Sequence, residues 1–262
     1  MPEARVNGVS LYYEEHGDGE PILCIHGTSS AGAVVVWSGA AEELARRGRA
    51  IVYDRRGCFR SERPEPYVTN VHEHADDAAA LIDALGAAPA IVIGRSYGGE
   101  TAIDLALRYP DRVRALVLLE AALLSASEEG RRLEADIQER VYATAEADME
   151  SVAETFLRIV AGDATWEGFP APAKQMFTAN GPAIVAELRG GALDVESEEL
   201  GAIVQPTLLV AGKGSPPAFG DVAQAMERAL PSAELVWVEG GHLIDFAHPF
   251  VLDFVDQVLA QD

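Results

Sequence analysis

The stretch 91-IVIGRSYGGETAIDLALRYP-110 places a serine between glycines, after an apolar run and before a helical pattern. The run that ends at Gly94 is apolar throughout, as expected of a strand buried on both faces. A helix is predicted to begin at or just after Gly98. In a strand–turn–helix of this kind only small residues fit two positions before and after the serine, whose hydroxyl is exposed above the sheet. We therefore predict that Ser96 is a nucleophile rather than a small residue tolerated at a tight turn.

The rest of the chain alternates between strand-like and helical segments. Beyond the helix after Ser96, helices are expected over about 71–85, 221–230 and 249–260. The strand-like runs are SLYYEE, PILCIHG, RAIVYD, AIVIG, RALVLLE, TLLVAG and ELVWVEG. This alternation predicts an α/β protein with a mostly parallel sheet and helices on both of its faces.

Residues 122–202 interrupt this alternation. They are rich in Glu, Ala and Leu, contain few strand-like runs, and are divided into short helices by proline and glycine. We predict a core domain formed by 1–121 and 203–262, with 122–202 as a helical insertion over the carboxyl ends of the strands. Open α/β sheets bind their ligands at that edge.

Several large apolar residues could line a pocket there or belong to the core of the insertion, and the sequence leaves both alternatives open. Those residues are Trp37, Trp166, Phe169, Met176 and Phe177.

Bulk composition excludes some classes of partner. The net charge is −22, from 20 basic and 42 acidic side chains, which disfavours binding to nucleic acid or to an anionic membrane surface. No apolar run is long enough to cross a bilayer, and the first residues lack a basic start and an apolar stretch. The two cysteines, Cys24 and Cys58, fit a reducing compartment, so we expect a cytoplasmic protein. No Cys/His cluster at metal spacing is present, and neither a metal nor an organic cofactor is expected.

A serine that attacks a carbonyl needs hydrogen-bond donors for the oxyanion that forms. One donor is expected to be the backbone N–H of Tyr97, directly after the serine, and the other should come from the loop after an earlier strand. The run 21-PILCIHGTSSAG-32 supplies such a loop. The N–H of Thr28 is the candidate, with Gly27 allowing the tight turn and His26 shaping the loop by hydrogen bonding.

A serine hydroxyl also needs a general base, and the chain contains six histidines. His242 lies in 234-ELVWVEGGHLIDF-246, directly after the last predicted strand, where two glycines let the loop fold back over the sheet. His16, His72 and His74 lie in polar segments and are expected to be solvated. We therefore assign His242 as the base.

Together these segments resemble the α/β-hydrolase superfamily over most of the chain outside the insertion. The motifs that carry the resemblance are HGTSS, DRRGCFRSERP, GRSYGG, YPDRVRALVLLE and GGHLIDFAHP. The resemblance implies an α/β-hydrolase fold with an eight-stranded, mostly parallel sheet and a helical cap. It also implies a catalytic triad in the chain order serine, acid, histidine.

The acid of this triad departs from the usual pattern of the superfamily. Most members carry an aspartate shortly after the seventh strand, but 207-TLLVAGKGSPPAFGD-221 has Ser215 at that position. A second position in the superfamily is directly after strand six, where this sequence has Glu120. We assign Glu120 as the acid, as in certain lactone hydrolases and some dehalogenases. Asp221, expected near the start of the next helix, is the reserve acid.

The leading hypothesis is a serine hydrolase that cleaves a carboxylic ester or lactone of a small, largely apolar molecule through an acyl-enzyme. Serine at the turn disfavours dehalogenase and epoxide hydrolase chemistry, in which members carry aspartate. A C–C bond hydrolase, or a non-hydrolytic lyase or cyclase on the same triad, is an alternative. A ligand-binding, receptor-like protein with slow or no turnover is another. The expected partner is a small-molecule substrate, and the chain is expected to be a monomer or homodimer.

Overall fold

A computed structural model describes residues 2–261 of the chain. Within that range, the strands are β1 Glu3–Val6, β2 Val9–His16, β3 Pro21–Ile25, β4 Arg49–Tyr53, β5 Ala90–Arg95, β6 Val113–Leu119, β7 Thr207–Gly212 and β8 Ala233–Val238. The helices are α1 Ala33–Trp37, α2 Ala40–Ala45, α3 Val71–Ala84, α4 Tyr97–Arg108, α5 Glu128–Ala147, α6 Val152–Ala161, α7 Asp163–Gly168, α8 Ala171–Ala179, α9 Gly181–Gly190, α10 Ser197–Leu200, α11 Pro217–Ala229 and α12 Pro249–Leu259.

All of these strands belong to one eight-stranded sheet with the order β1-β2-β4-β3-β5-β6-β7-β8. The β1–β2 and β2–β4 pairs are antiparallel, and every other neighbouring pair is parallel. The mostly parallel sheet predicted from the sequence is therefore confirmed. No strand was predicted from the sequence at β1. This strand forms a hairpin with β2 through Asn7, with a φ of 45°, and Gly8, with a φ of 79°. Positive φ at both positions is what a two-residue hairpin turn requires, and Asn-Gly is a common sequence for it.

Successive residues of the central strands alternate between two hydrophobic cores, as the two-residue period of a strand dictates. In β5, Val92 packs into the core with α3, α4 and α11, whereas Ile91 and Ile93 pack into the core with α1, α2 and α12. Helices therefore cover both faces of the sheet.

The segment between β6 and β7 contains α5 to α10, in agreement with the helical character predicted for 122–202. Helix α5 spans 20 residues and contacts α6, α9 and α11. Buried residues of α6, such as Phe156 and Val160, belong to the same hydrophobic core as α3 and α4. Residues 122–202, the predicted insertion, therefore pack near the residues that follow β5 and β6.

Candidate active site

Ser96 forms the turn between β5 and α4. Its φ of 55° and ψ of −123° cost a non-glycine residue roughly 1–3 kcal/mol. Backbone hydrogen bonds hold this conformation on both sides. The Ser96 N–H donates to the carbonyl of Leu119 at 3.0 Å, and the Ser96 carbonyl accepts from the N–H groups of Gly99, Glu100 and Ala122.

Glycines are required on either side of this turn because the backbone is crowded. A Cβ on Gly94 would lie 2.3 Å from the carbonyl oxygen of Gly98. A Cβ on Gly98 would lie 2.1 Å from the carbonyl oxygen of Ile25. The expectation that only small residues fit at these positions is confirmed.

Gly98→Ala is therefore expected to destabilise the fold. The new methyl group meets backbone atoms of β3 that cannot move aside, and overpacking of this kind typically costs about 1–3 kcal/mol. For a chain of this size, each kcal/mol lowers Tm by about 2–4 °C, measured by thermal unfolding. Gly168→Ala is the matched control because a Cβ at Gly168 meets nothing within 4 Å. An unchanged Tm for Gly98→Ala would contradict this crowding of the backbone.

His242, in the loop after β8, connects Ser96 to Glu120. Its Nε2 is 3.0 Å from Oγ of Ser96, and its Nδ1 is 2.7 Å from Oε2 of Glu120. The exposed fractions of Ser96, His242 and Glu120 are 8%, 3% and 1%. An Nδ1–H that donates to Glu120 leaves Nε2 as an acceptor for the hydroxyl proton of Ser96. The structure thus brings together the three side chains that the sequence singled out.

Glu120 is held by the backbone of the neighbouring strand. It follows β6 directly and has a φ of 45°. Its Oε1 accepts a hydrogen bond from the N–H of Gly212 at 2.6 Å, at the end of β7, so both carboxylate oxygens have partners. Ser215, at the usual aspartate position of the superfamily, is bonded to the same turn, because its N–H donates to the Gly212 carbonyl at 3.2 Å.

Asp221 does not lie at the start of a helix, and that prediction was wrong. Helix α11 begins at Pro217, in line with the preference of proline for the first helical position. Asp221 is an exposed residue further along this helix. The Nδ1 of His242 is bonded to Glu120 instead, so the geometry favours Glu120 over the reserve acid.

Phe219, also in α11, fixes the plane of the imidazole. Its ring stacks on His242 with 4.0 Å between the ring centroids and 26° between the ring planes. The phenyl group is buried, with an exposed fraction of 2%. Nothing in the local pattern of the sequence indicated this role.

The loop after β3 passes close to Ser96. A Cβ on Gly27 would lie 3.1 Å from the Cβ of Ser96 and 3.0 Å from the carbonyl oxygen of Arg95. Within residues 2–261, the backbone N–H groups of Thr28 and Tyr97 have no hydrogen-bond acceptor. Thr28, Ser96 and Tyr97 line one cavity. Both predicted oxyanion donors are therefore beside Ser96 with their N–H groups unused.

Arg55 stabilises the loop after β3 through hydrogen bonds to its carbonyl groups. No role was assigned to Arg55 from the sequence. Its Nε donates to the carbonyl of His26 at 3.0 Å and its Nη2 to the carbonyl of Gly27 at 3.1 Å. Its Nη1 lies 2.8 Å from Oε1 of Glu187 in α9. Oε2 of Glu187 accepts from the hydroxyl of Thr28 at 2.7 Å. A buried ion pair therefore ties the insertion to the loop.

Two buried histidines flank Arg55. His26 accepts from the N–H of Arg55 through Nε2 at 2.9 Å, and its Nδ1 lies 2.8 Å from the carbonyl of Gly27, so it shapes the loop as predicted. Burial, with Arg55 nearby, lowers the pKa of His26 well below its usual value. His74 is not solvated as predicted: it is 1% exposed and lies 3.1 Å from the hydroxyl of Thr69. It lies on the inner face of α3 in spite of its polar sequence neighbours.

Two cavities meet at Ser96. The first, named the α4 cavity after Tyr97 and Glu100 of that helix, has a volume of about 60 Å³. The second, named the His242 cavity after the histidine in its wall, has a volume of about 190 Å³. Both are also lined by Thr28.

The predicted insertion supplies part of both walls. The sequence left open whether the large apolar residues line a pocket or belong to the core, and the structure distinguishes the two groups. Phe169 and Phe177 line the His242 cavity. Trp166 and Met176 are buried in the hydrophobic core, and Trp37 is 55% exposed.

A comparison against known families agrees with three features of the structure. They are the order of the strands in the sheet, the turn at Ser96 and the position of His242 after β8. A family model described as the alpha/beta hydrolase fold matches residues 20–249. The chain belongs to the α/β-hydrolase fold family. Within residues 2–261 of this α/β-hydrolase, no helix is long and apolar enough to cross a membrane. The same residues contain no group of three or more His, Cys, Asp or Glu side chains placed to hold a metal ion.

Two curated relatives match part of this α/β-hydrolase chain. It is 40% identical over 119 residues to a putative carbamate hydrolase, RutD, of Azorhizobium caulinodans, covering 45% of this chain and 44% of the relative. It is 37% identical over 121 residues to a 2-hydroxymuconate semialdehyde hydrolase of Pseudomonas sp. (strain CF600), covering 45% of this chain and 42% of the relative. The chain thus spans less than half the length of the curated relatives it matches.

Among solved structures, a thermophilic esterase from Thermogutta terrifontis is similar over 100% of this chain and 99% of its own. The TM-score is 0.79 and the sequence identity is 26%.

Proposed function

We propose that this α/β-hydrolase cleaves a carboxylic ester or lactone of a small, largely apolar molecule through an acyl-enzyme. The observation that carries the proposal is the hydrogen-bonded chain from Ser96 through His242 to Glu120, at 3.0 and 2.7 Å. Similarity to the Thermogutta terrifontis esterase supports ester hydrolysis. In this proposal, residues 122–202 form a cap that encloses the small-molecule substrate.

In this proposal each catalytic step is assigned to one group. His242 Nε2 takes the proton of Ser96 as Oγ attacks the acyl carbon, and Glu120 stabilises the imidazolium through Nδ1–H. The N–H groups of Thr28 and Tyr97 bind the oxyanion, where one donor is typically worth about 3–4 kcal/mol of barrier. His242 then gives its proton to the leaving oxygen. A water activated by His242 hydrolyses the acyl-enzyme and restores Ser96.

Proton transfer to the leaving oxygen indicates which part of the substrate each of the two cavities would hold. The leaving group has to lie beside His242, which lines the His242 cavity, whereas the α4 cavity shares Ser96 but not His242. The acyl arm therefore occupies the α4 cavity. A water needs about 10–15 Å³ of cavity volume measured with a water-sized sphere. The α4 cavity, at 60 Å³ against 190 Å³ for the His242 cavity, is thus the smaller of the two and favours a short acyl chain.

A series of 4-nitrophenyl esters tests this proposal. Acetate to butyrate are expected to be hydrolysed with a burst of nitrophenol equal to the enzyme concentration, and kcat/KM is expected to fall roughly tenfold by octanoate, which exceeds the α4 cavity. A fluorophosphonate probe should label the protein at Ser96 in parallel, read by mass spectrometry of the peptide. Labelling without ester turnover would instead indicate a receptor-like protein or a specialised lyase. Absence of both would end the serine hydrolase proposal.

Hydrolysis of a C–C bond on the same triad is the second candidate. It is favoured by the similarity to a protein named as a 2-hydroxymuconate semialdehyde hydrolase. A muconate carries a carboxylate, but the α4 cavity is lined by Glu100, Glu134 and Glu187. Among residues 2–261, no Lys, Arg or His lines that cavity, so an anionic acyl arm would be desolvated there without a cation, and ester or lactone hydrolysis remains the first candidate.

A further inference from the structure

Polar groups in the wall of the α4 cavity take no part in the steps above. Glu100 and Tyr97 project from the first turn of α4, directly after Ser96, and have exposed fractions of 2% and 7%. Within residues 2–261, the buried hydroxyl of Tyr97 has no hydrogen-bond partner. Buried polar groups are nearly always paired, and Tyr97 also lines the α4 cavity, so its unpaired hydroxyl is a candidate partner for a ligand that binds there.

Glu100, which also lines the α4 cavity, carries a second unused polar group. Its Oε1 accepts a hydrogen bond from the N–H of Leu193, in the loop after α9. Within residues 2–261, the hydrogen bond to this carboxyl group is made at Oε1 and none is made at Oε2. Burial raises the pKa of Glu100 to about 8, so the carboxyl is mostly protonated at neutral pH. Because Oε1 is an acceptor, the proton belongs on Oε2, which makes that atom a donor to a ligand in the cavity.

The remaining walls do not suit a charged ligand. The carboxylate of Glu187 is paired with Arg55 at 2.8 Å and is not free for another cation. Burial also raises the pKa of Glu134, which favours its neutral form. Most other lining side chains are apolar, among them Ile137 and Phe156. A carboxylate would lose its hydration there and meet no cation among the described residues that line the cavity, which is costly. An ammonium would meet only carboxyl groups whose pKa is raised by burial or whose charge is already paired with Arg55.

We propose that the α4 cavity is a subsite for a short acyl chain that bears an uncharged oxygen substituent, a hydroxyl or keto group, hydrogen-bonded by Glu100 and Tyr97. The proposal rests on the proposed hydrolase function and names the substrate class of the same site. An acyl chain the size of butyrate, extending from Ser96 towards Glu100, fills the cavity volume of about 60 Å³.

The test compares matched 4-nitrophenyl esters: butyrate, the two enantiomers of 3-hydroxybutyrate, and 3-aminobutyrate. One enantiomer of the hydroxy ester is expected to have a kcat/KM about tenfold above butyrate, since a net hydrogen bond is worth about 0.5–1.5 kcal/mol and an unpaired buried group adds to this. The amino ester should be slower than butyrate. Equal rates for butyrate and both hydroxy enantiomers, or a preference for the amino ester, would overturn this subsite and leave the hydrolase intact. Turnover of none of the esters removes both proposals.

Variants show whether the selectivity comes from these two side chains. Glu100→Leu should bring the hydroxybutyrate-to-butyrate ratio of kcat/KM close to one, and Glu100→Gln, which keeps a donor and an acceptor, should retain part of it. Tyr97→Phe removes only the hydroxyl and should lower the ratio about threefold, so it decides the matter if Glu100→Leu does not fold. Glu139→Gln, at an exposed position of α5, is the control. An unchanged ratio in Tyr97→Phe and in the folded Glu100 variants would show that both residues are only structural.

Discussion

Ser96→Ala is expected to lower kcat for short 4-nitrophenyl esters by a factor of about 10⁵ to 10⁶. The side chain of Ser96 supplies the hydroxyl bonded to His242, at 3.0 Å, and without it no acyl-enzyme forms. Residual activity above the rate in buffer should persist, because the N–H groups of Thr28 and Tyr97 still bind the oxyanion. Steady-state kinetics and the loss of the nitrophenol burst measure both effects.

The non-additivity of the triad makes the same experiment more decisive. His242→Ala should be about as slow as Ser96→Ala, and the double variant no slower than either, because each single change already disables the whole unit. Ser232→Ala is the matched control, since Ser232 is exposed at the surface and lines neither cavity. Retention of more than about 1% of kcat by Ser96→Ala, with Tm unchanged, would contradict the assignment of the nucleophile.

The parts of the fold that were predictable from the sequence depend on short-range patterns. Apolar runs such as AIVI and LVLL indicated the buried strands, and glycines at fixed offsets from Ser96 indicated the sharp turn. Local information was also present where the prediction failed. Asn7-Gly8 is a hairpin signal that predicts β1 before the strand at β2, and Pro217 marks the first turn of α11. Both signals are short-range, so β1 and the first turn of α11 could have been predicted from the sequence.

Other features of the site follow from packing between distant segments and have no local pattern. The pairing of Arg55 with Glu187 joins positions that are 132 residues apart in the chain, one of them within the predicted insertion. The burial of His74 depends on the same contact region, because its ring faces the Arg55 guanidinium at 3.3 Å. The sequence identified helices in the insertion but could not give their orientation over Ser96. The residues that line the α4 cavity could therefore not be predicted from the sequence.

Glu120 is the intermediate case. Its position after an apolar strand, together with Ser215 at the usual aspartate position, indicated an acid at the correct edge of the sheet. What the sequence could not provide was the reason the side chain turns towards the histidine. A φ of 45° and a hydrogen bond from the N–H of Gly212 fix that direction, and both depend on β6 and β7 being neighbours.

Glu120→Gln is expected to lower kcat by about 10⁴, whereas Asp221→Asn should change it less than about twofold. Glutamine has nearly the same shape and its oxygen can still accept from the N–H of Gly212. Its NH₂ group, however, would donate to Nδ1 of His242 and so place the imidazole proton on Nε2. An imidazole in that tautomer cannot accept the proton of Ser96, so the geometry survives and the base is lost. Steady-state kinetics on 4-nitrophenyl butyrate measure both variants.

The pair of variants separates the two acids because their surroundings differ. Glu120 is 1% exposed and both of its oxygens are bonded, at 2.6 and 2.7 Å, whereas Asp221 lies on the exposed side of α11. Thermal unfolding of Glu120→Gln should show a folded protein, since both hydrogen bonds can still form with the roles at Nδ1 reversed. A large loss of kcat in Asp221→Asn together with near-normal activity in Glu120→Gln would mean that α11 moves in solution and that Asp221 serves the histidine. The buried position of Glu120 between β6 and β7 predicts the opposite order.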